Sequence, residues 1–306
     1  MTTEVESVVR LAKNKRSLKR QKATQVLGYI LVWSCGLVAV AAVFWIIGYV
    51  LSQGLPTINL EFLTTRPAGG VSGEGGMSTT IVTTLYLVVL TIAVATPLGV
   101  GAAIYLVEYA GDASRESKLV AFIVKAARMG VEILAGVPSI IFGLFGFALF
   151  VSYLKFGFSL LSASLSGAAL VLPTIIRTSE EALLTVPRSY REGSLSLGAT
   201  KWHTIYNVVL PTAMPGIVTG IVLSVGRIIA ETAIFWVTLG GSYHLPESVM
   251  NSGRSMALHV YMLASETRAF DKAMGTASIL IITIILLNFA INIVSHRMTG
   301  RITGKK

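Results

Sequence analysis

Two ionisable residues, Arg227 and Glu231, interrupt the apolar run from Ala213 to Leu239. Four positions apart on a helix, they share a face one turn apart and can neutralise each other. An arginine in this setting can also bind an oxyanion, because its planar donors match two oxygens at once. A glutamate beside it would repel a dianion unless it held the arginine and released it when a path opened. Two readings follow: a structural ion pair that locks helices, or an anion-contacting site on a translocation path. Gly216, Gly220 and Ser224 continue the same face. Ionisable groups in lipid cost about 2.5–3.5 kcal/mol or more each, and small residues allow helices to approach closely, so this stripe is expected to face inward.

Other chemistries lack their residues. The C-terminal stretch from Gly300 to Lys306 has the wrong spacing for a P-loop and no final hydroxyl residue. His203, His244, His259 and His296 are scattered, so no metal site is expected. The single cysteine, Cys35, excludes an internal disulfide. No Ser or Asp sits in a nucleophile elbow. The chain is therefore expected to have no catalytic residue and to hold no cofactor, and an intramembrane hydrolase is a poor rival.

The elements that must position Arg227 and Glu231 are membrane helices. Of 306 residues, 53% are hydrophobic and 13% charged, with a mean hydropathy of +0.72. That balance excludes an ordinary soluble domain. About 20 apolar residues cross the hydrocarbon core as a helix. Six segments reach or approach that length: Val26 to Leu51, Thr80 to Val107, Ile133 to Leu154, Leu160 to Ile176, Ala213 to Leu239, and Met274 to Val294. The fourth is the shortest. The expected fold is all-α and polytopic.

Pro97, Pro138 and Pro173 fall in the second, third and fourth spans, where each removes a backbone donor and invites a break. They read either as ordinary membrane-helix prolines or as broken backbone lining a pathway.

The formal charge of +10 would suit nucleic acid if it formed a binding face, but it follows the membrane instead. Most lysines and arginines lie in the N-terminal tail, the loops holding Arg115, Lys118, Lys125 and Arg128 or Arg177, Arg188, Arg191 and Lys201, and the C-terminus. The opposite loops hold Arg66, Lys155, Arg254, Arg268 and Lys272. Both termini are thus expected in the cytoplasm and no nucleic acid is expected as a partner. The resulting plan is a basic tail over 1–25, an anchor helix over 26–51, a Gly-rich outward loop over 52–78, a core over 79–296 and a second basic tail over 297–306. The glycines between Arg66 and Gly76 suggest a flexible connector.

Within the core, the cytoplasmic loop 178–211 is longer than a connector needs to be. Ser189 and Glu192 fit a capping box, Gly198 can end a first short helix in a left-handed turn, and a second can run from Thr200 to before Pro211. Trp202, Ile205, Tyr206 and Val209 fall on one helical face, which calls for a lipid or protein surface.

Glu192-Gly193-Ser194, then Gly198-Ala199, then Val208-Val209-Leu210-Pro211 resembles the EAA loop of ATP-binding-cassette importer permeases, with Gly193, Ser194 and Val208 in place of Ala, Ala and Ile. The resemblance extends from about residue 78 onward through Thr96-Pro97-Leu98-Gly99, Tyr105-Leu106-Val107-Glu108-Tyr109, Gly136-Val137-Pro138-Ser139-Ile140, Ile176 to Leu183, and Arg227 with Glu231-Thr232-Ala233. It is nearest to phosphate-specific transport permeases of the PstA type, although Ala230 and Ile234 stand where that family commonly has Gly and Pro.

The resemblance implies an anchor helix plus a five-helix type I permease core in a bacterial or archaeal inner membrane. It implies that the loop containing Arg191, Glu192, Gly198 and Trp202 docks into a dimeric cytoplasmic ATPase (PstB type), which holds ATP and Mg. A related second permease (PstC type) and an extracytoplasmic phosphate-binding protein (PstS type) would complete the assembly. Arg227, Glu231 and Ser224 would then lie near the substrate path. The rivals are a permease for molybdate, sulfate or phosphonate, and a membrane scaffold that relays phosphate status to a sensor.

Overall fold

The computed structural model describes the backbone of residues 2–68, 73–110, 117–267 and 269–302, and side chains at 22 and between 24 and 293 in those segments. Gly69 to Ser72, Arg115, Arg268 and most basic side chains of the two tails therefore lie outside the description. The chain divides into two compact units, Met1–Ser52 and Gln53–Lys306.

The first unit belongs to one helix, α1 (Thr2–Gly54). The change expected near residue 25 is one of composition and not of backbone: the stretch apolar enough to cross a membrane is Thr24–Thr57.

In the second unit, α2 (Leu60–Thr64) is capped by Asn59, whose side chain accepts from the Phe62 amide. The described flanks of the Gly-rich loop are pinned, contrary to the expectation of a flexible connector. The Ala68 amide donates to the Glu74 carbonyl at 2.8 Å and the Gly76 amide to the Arg66 carbonyl at 3.2 Å. Gly75, at φ +84°, takes a backbone conformation that favours glycine and sits opposite Pro67 in an isolated antiparallel pairing. Phe62 and Met77 are buried together with Met256.

Helix α3 (Ser78–Ile104) continues through Pro97 and ends in a π turn, Tyr105–Tyr109. The third expected span is overturned. Helix α4 (Lys118–Ala135) and α5 (Ser139–Gly146, extended by a π turn to Tyr153) meet at 107° around Gly136 and Pro138. The basic residues Lys118, Lys125 and Arg128 thus belong to α4 and not to a loop. Val124 and the half-buried Val120 and Val131 hold this helix against Leu106, Ala110 and Ile176.

Helix α6 runs from Leu160 to Leu184, well beyond the expected end at Ile176, and continues through Pro173. Of the three prolines expected to break helices, only Pro138 does so. A long packed helix absorbs the loss of one donor, whereas Pro138 follows a glycine closely and forces Val137 away from helical backbone. The span expected to be weakest is the centre of the bundle: two-thirds of its most apolar window is buried, against one-third or less for the other spans. It packs on α3 and on α9 (Leu210–Ala230), with Leu87, Phe142, Leu170, Ile175, Ile228 and Phe235 in the shared core.

Short helices α7 (Arg188–Ser196) and α8 (Lys201–Thr204) precede α9. Pro211 does not stop the second of these. A π turn, Ile205–Val209, carries α8 directly into α9, so that 30 residues from Lys201 to Ala230 form one apolar stretch. The wider turn re-registers the hydrogen bonds just before the residue that lacks a donor.

The fifth expected span is also divided. Helix α9 ends at Ala230, Glu231 is extended (φ −76°, ψ 131°), and α10 (Ala233–Thr238) follows. Helix α11 (Met256–Glu266) lies between the last two spans where the sequence suggested only a loop, and α12 (Phe270–Ile302) completes the chain. Among the described residues, five helices are long and apolar enough to cross a membrane, and a sixth is added if α4 and α5 count as one broken span. Among the described residues there is no strand, only isolated pairings such as Gly240 with Gly253.

Candidate coupling and pathway sites

Helix α7 buries none of its residues. The capping box does not form: Pro187 is the N-cap, no side chain caps the helix, and Ser189 falls two positions too late to do so. What holds α7 is Arg191. Its Nε and Nη2 donate to Glu108 Oε1 at 3.0 and 2.7 Å, and its Nε also reaches Oε2 at 3.3 Å. Nη1 and Nη2 also donate to the Val186 carbonyl, in the turn after α6, and to the Leu183 carbonyl, in its last turn, at 2.7 and 2.9 Å. The Glu108 side chain is only 7% exposed. Such a buried pair is tolerated because its donors and acceptors are satisfied, and removing one partner typically costs about 3–5 kcal/mol.

Beyond Arg191 the loop is open. Glu192, Gly193, Leu195 and Leu197 are exposed, Leu197 at 90%. The Ser194 and Thr204 hydroxyls are 2.9 Å apart and tie α7 to α8. Gly198 has φ +85°, its amide donates to Leu195, and the Ala199 amide donates to Ser194. The left-handed turn anticipated from the sequence is therefore present. Thr200 caps α8 by accepting from the His203 amide. An open depression of about 560 Å³ lies over Ser194, Leu197, Gly198, Ala199, Thr200 and His203.

The four-residue apolar face divides in two. Ile205 and Val209 are buried, whereas Trp202 and Tyr206 are 64% and 60% exposed and stack on each other with centroids 6.5 Å apart. The π turn at Ile205 rotates the helix between these pairs. Leu210 and Pro211, expected to close the loop, are half-buried in the continuing helix.

The residue that sequence reasoning missed is Glu108, separated from Arg191 by 83 positions. Its signal was a carboxylate at the end of an apolar span. It lies in the π turn after α3, where two further cations also converge. Arg128 of α4 donates to the Leu106 carbonyl at 3.2 Å and pairs with Glu180 at 2.8 Å. The Lys201 ammonium lies 4.9 Å from the centre of the Tyr109 ring.

In the membrane stripe the expected neutralising pair is not made. Because α9 ends before Glu231, the two side chains do not share a continuous helical face. Glu231 Oε1 instead accepts from the Ala233 and Ile234 amides at 3.1 and 3.4 Å, capping α10. Arg227 is half-buried and, among the described residues, forms no ion pair. Ser224 is fully buried and donates to the Gly220 carbonyl at 2.8 Å. Gly216 and Gly220 pack on α6, where a β-carbon would meet Ala182 and Thr178 respectively. The small residues thus serve helix packing, and Arg227 is separated from them in role.

At the other end of α3, Arg254 is 5% exposed. Its Nε donates to the Gly241 carbonyl at 3.0 Å, Nη1 is 3.4 Å from His259 Nδ1, and its guanidinium lies 4.1 Å from the Tyr243 ring centre. Burial, aided by the Arg254 and Lys272 charges, pushes the His259 imidazole down to about 3 and keeps it neutral. Among the described residues no group of three or more His, Cys, Asp or Glu could hold a metal ion.

Residues 113–304 match the model of the family described as the binding-protein-dependent transport system inner membrane component. The chain is 35% identical over 270 residues to the phosphate transport system permease protein PstA 1 of Mycobacterium tuberculosis H37Rv, covering 86% of this chain and 85% of the relative. It is 28% identical over 286 residues to the probable ABC transporter permease protein YqgI of Bacillus subtilis, covering 88% and 94%. Its fold resembles a chain in the crystal structure of a bacterial alginate ABC transporter with an alginate pentasaccharide-bound periplasmic protein, at a TM-score of 0.59, 16% identity and coverage of 89% and 95%.

Proposed function

The chain belongs to the binding-protein-dependent transport system inner membrane components, and on that premise we propose that it is a permease subunit that imports inorganic phosphate by alternating access. The observation that carries the import reading is the left-handed turn at Gly198, flanked by exposed Glu192, Leu197, Trp202 and Tyr206 on a helix-turn-helix anchored from behind by Arg191. Such a surface is shaped to be gripped by another protein, here a dimeric ATPase that binds ATP and Mg. The 35% identity to a phosphate permease supports the cargo.

A related second permease chain would complete the pore, and an extracytoplasmic binding protein would deliver phosphate. Both termini would lie in the cytoplasm, which puts the loop around Gly198 on the ATPase side. Transport so conceived makes and breaks no covalent bond of the cargo; closure of the ATPases moves the loop and the helices follow as rigid bodies.

Arg227 is the proposed anion contact. It is the half-buried membrane cation whose expected carboxylate partner is engaged in capping another helix. Ser224, with its hydroxyl committed to Gly220, would act only by packing α9 on α6. Phosphate uptake by Arg227→Gln and Arg227→Lys complexes at matched membrane levels tests this role: uptake equal to wild type in both would remove Arg227 from the path.

Reconstitution in vesicles tests the function as a whole. Labelled phosphate should accumulate only with ATP, and phosphate-loaded binding protein should stimulate hydrolysis. Accumulation of molybdate, sulfate or phosphonate instead of phosphate would reassign the cargo, and signalling without ATP-dependent accumulation would favour the scaffold.

A further inference from the structure

We propose that the Glu108–Arg191 ion pair is the strut that delivers movement of α7 to the ends of α3 and α6. The proposal rests on the importer reading above and names how the coupling loop engages the bundle.

An element is usually moved by its neighbours through packed side chains. Helix α7 has no buried residue with which to receive or transmit force in that way. Its other tie, through the Ser194 and Thr204 hydroxyls, is a single uncharged contact to α8, which the π turn continues into α9. Arg191 reaches further. One planar group spans α7, the Leu183 carbonyl of α6, the Val186 carbonyl of the turn that follows it, and the carboxylate of Glu108 in the π turn after α3.

A guanidinium held at both carboxylate oxygens and two carbonyls cannot pivot without losing several charge-assisted bonds together. Because the Glu108 carboxylate is buried, losing them would leave it largely without partners. Displacement of α7 must therefore either break the whole set or draw the two helix ends with it.

The receiving end is built to take such a load. The π turn Tyr105–Tyr109 is a local widening of the helix, a backbone form often found at functional positions. Leu106, Glu108 and Tyr109 in this turn each meet a cation from a different helix: Arg128 of α4, Arg191 of α7 and Lys201 of α8. Glu180 binds Arg128 in turn, so α6 is joined twice, at Glu180 and at the Leu183 carbonyl. Of the three cations, Arg191 is the one on the otherwise unpacked helix. It is a positioning residue, acting through Glu108 without touching the cargo.

The test uses the complete complex in proteoliposomes with phosphate-loaded binding protein, and reads phosphate imported per ATP hydrolysed alongside subunit assembly. Glu108→Gln keeps a hydrogen-bonding side chain but removes the charge. Arg191→Lys keeps the charge but cannot span four acceptors. Both variants should assemble and hydrolyse ATP while the phosphate-to-ATP ratio falls about tenfold, a coupling loss in the usual range for residues linking two sites. The double variant should be no worse than the weaker single one, because the two residues act as a unit.

A wild-type complex that does not import phosphate would overturn the importer reading itself. Normal import by wild type with unchanged ratios in both variants would overturn the strut alone. Loss of assembly in both variants would also overturn it, by showing that the pair serves folding of the loop. The lysine variant, which retains the charge, keeps the test open should the glutamine variant fail to assemble.

Discussion

The two ends of α3 hold arginines in opposite ways. At the Tyr105–Tyr109 end, Arg191 and Arg128 pair with carboxylates, and the helices beyond them leave Leu197, Trp202 and Tyr206 in the open. At the Ser78 end, Arg254 is buried against a carbonyl, a neutral imidazole and an aromatic face, and the Met256 amide donates to the buried Thr84 hydroxyl at 2.9 Å. One end is tied by discrete charged links to a surface that stays available. The other is closed by burial. Under the proposed coupling, a subunit pulled from one side would use this asymmetry: movable parts joined by a few strong bonds at the working end, and a packed cap at the other.

The largest expected effect breaks the working end. Gly198 has open space around it, so a side chain there is opposed by its φ of +85° and not by neighbours. Gly198→Val should therefore lower ATP-dependent uptake by about tenfold or more, whereas Gly198→Asn, which tolerates left-handed backbone, should keep most of it. Equal uptake in the two variants, with assembly verified, would show that the turn's handedness is irrelevant to coupling.

The cap should respond in stability and not in coupling. Replacing Arg254 by Leu leaves the Gly241 carbonyl and His259 without their donor, and an unfolding loss of about 2–3 kcal/mol is expected for such buried groups. Thermal unfolding in detergent would measure it, with the phosphate-to-ATP ratio of the surviving complex unchanged. A lowered ratio would end the contrast between the two ends.

Between the ends, Gly220→Ala should cost about 1–3 kcal/mol through overpacking, since its new methyl group would overlap the Thr178 hydroxyl. Recovery in the Gly220→Ala/Thr178→Ala double variant, followed by the same melts, would assign the loss to that contact.

The smallest effect is set by pH. His259 has an ordinary value of 6.5 and is held at about 3 in the fold. The folded state therefore binds fewer protons than the unfolded state as pH falls below 6.5. Stability is retained above that point and declines toward pH 3, by at most about 1.4 kcal/mol per pH unit. Amide exchange in α11 between pH 7 and 5 should reveal this slope, and His259→Gln should flatten it. An unchanged slope in the variant would assign the pH response to another group.

Much of the working end was legible before any fold was known. Gly198 allowed a left-handed turn, Thr200 a start for the second short helix, and the spacing from Glu192 to Pro211 a loop of a recognisable kind, because these are local backbone preferences. The capping box at Ser189 failed because Pro187 took the N-cap position. Single apolar windows also hid the bend at Pro138 and the division at Glu231, since hydropathy counts residues without seeing backbone direction. The cap was almost invisible: Arg254 resembled an ordinary loop cation until α11 and the Gly240–Gly253 pairing enclosed it.

By itself the sequence determined the solvent, the number of crossings within the ambiguity of one bent pair, and the left-handed turn at Gly198. Those depend on composition and on neighbours a few residues apart. Only the tertiary structure decided which charges meet. Glu231 turned from Arg227 to cap a helix that begins two residues ahead, while Arg191 found Glu108 83 positions away. Burial makes an unmatched charge costly, and the partner that removes that cost is chosen by proximity in the folded bundle, which spacing along the chain does not reveal.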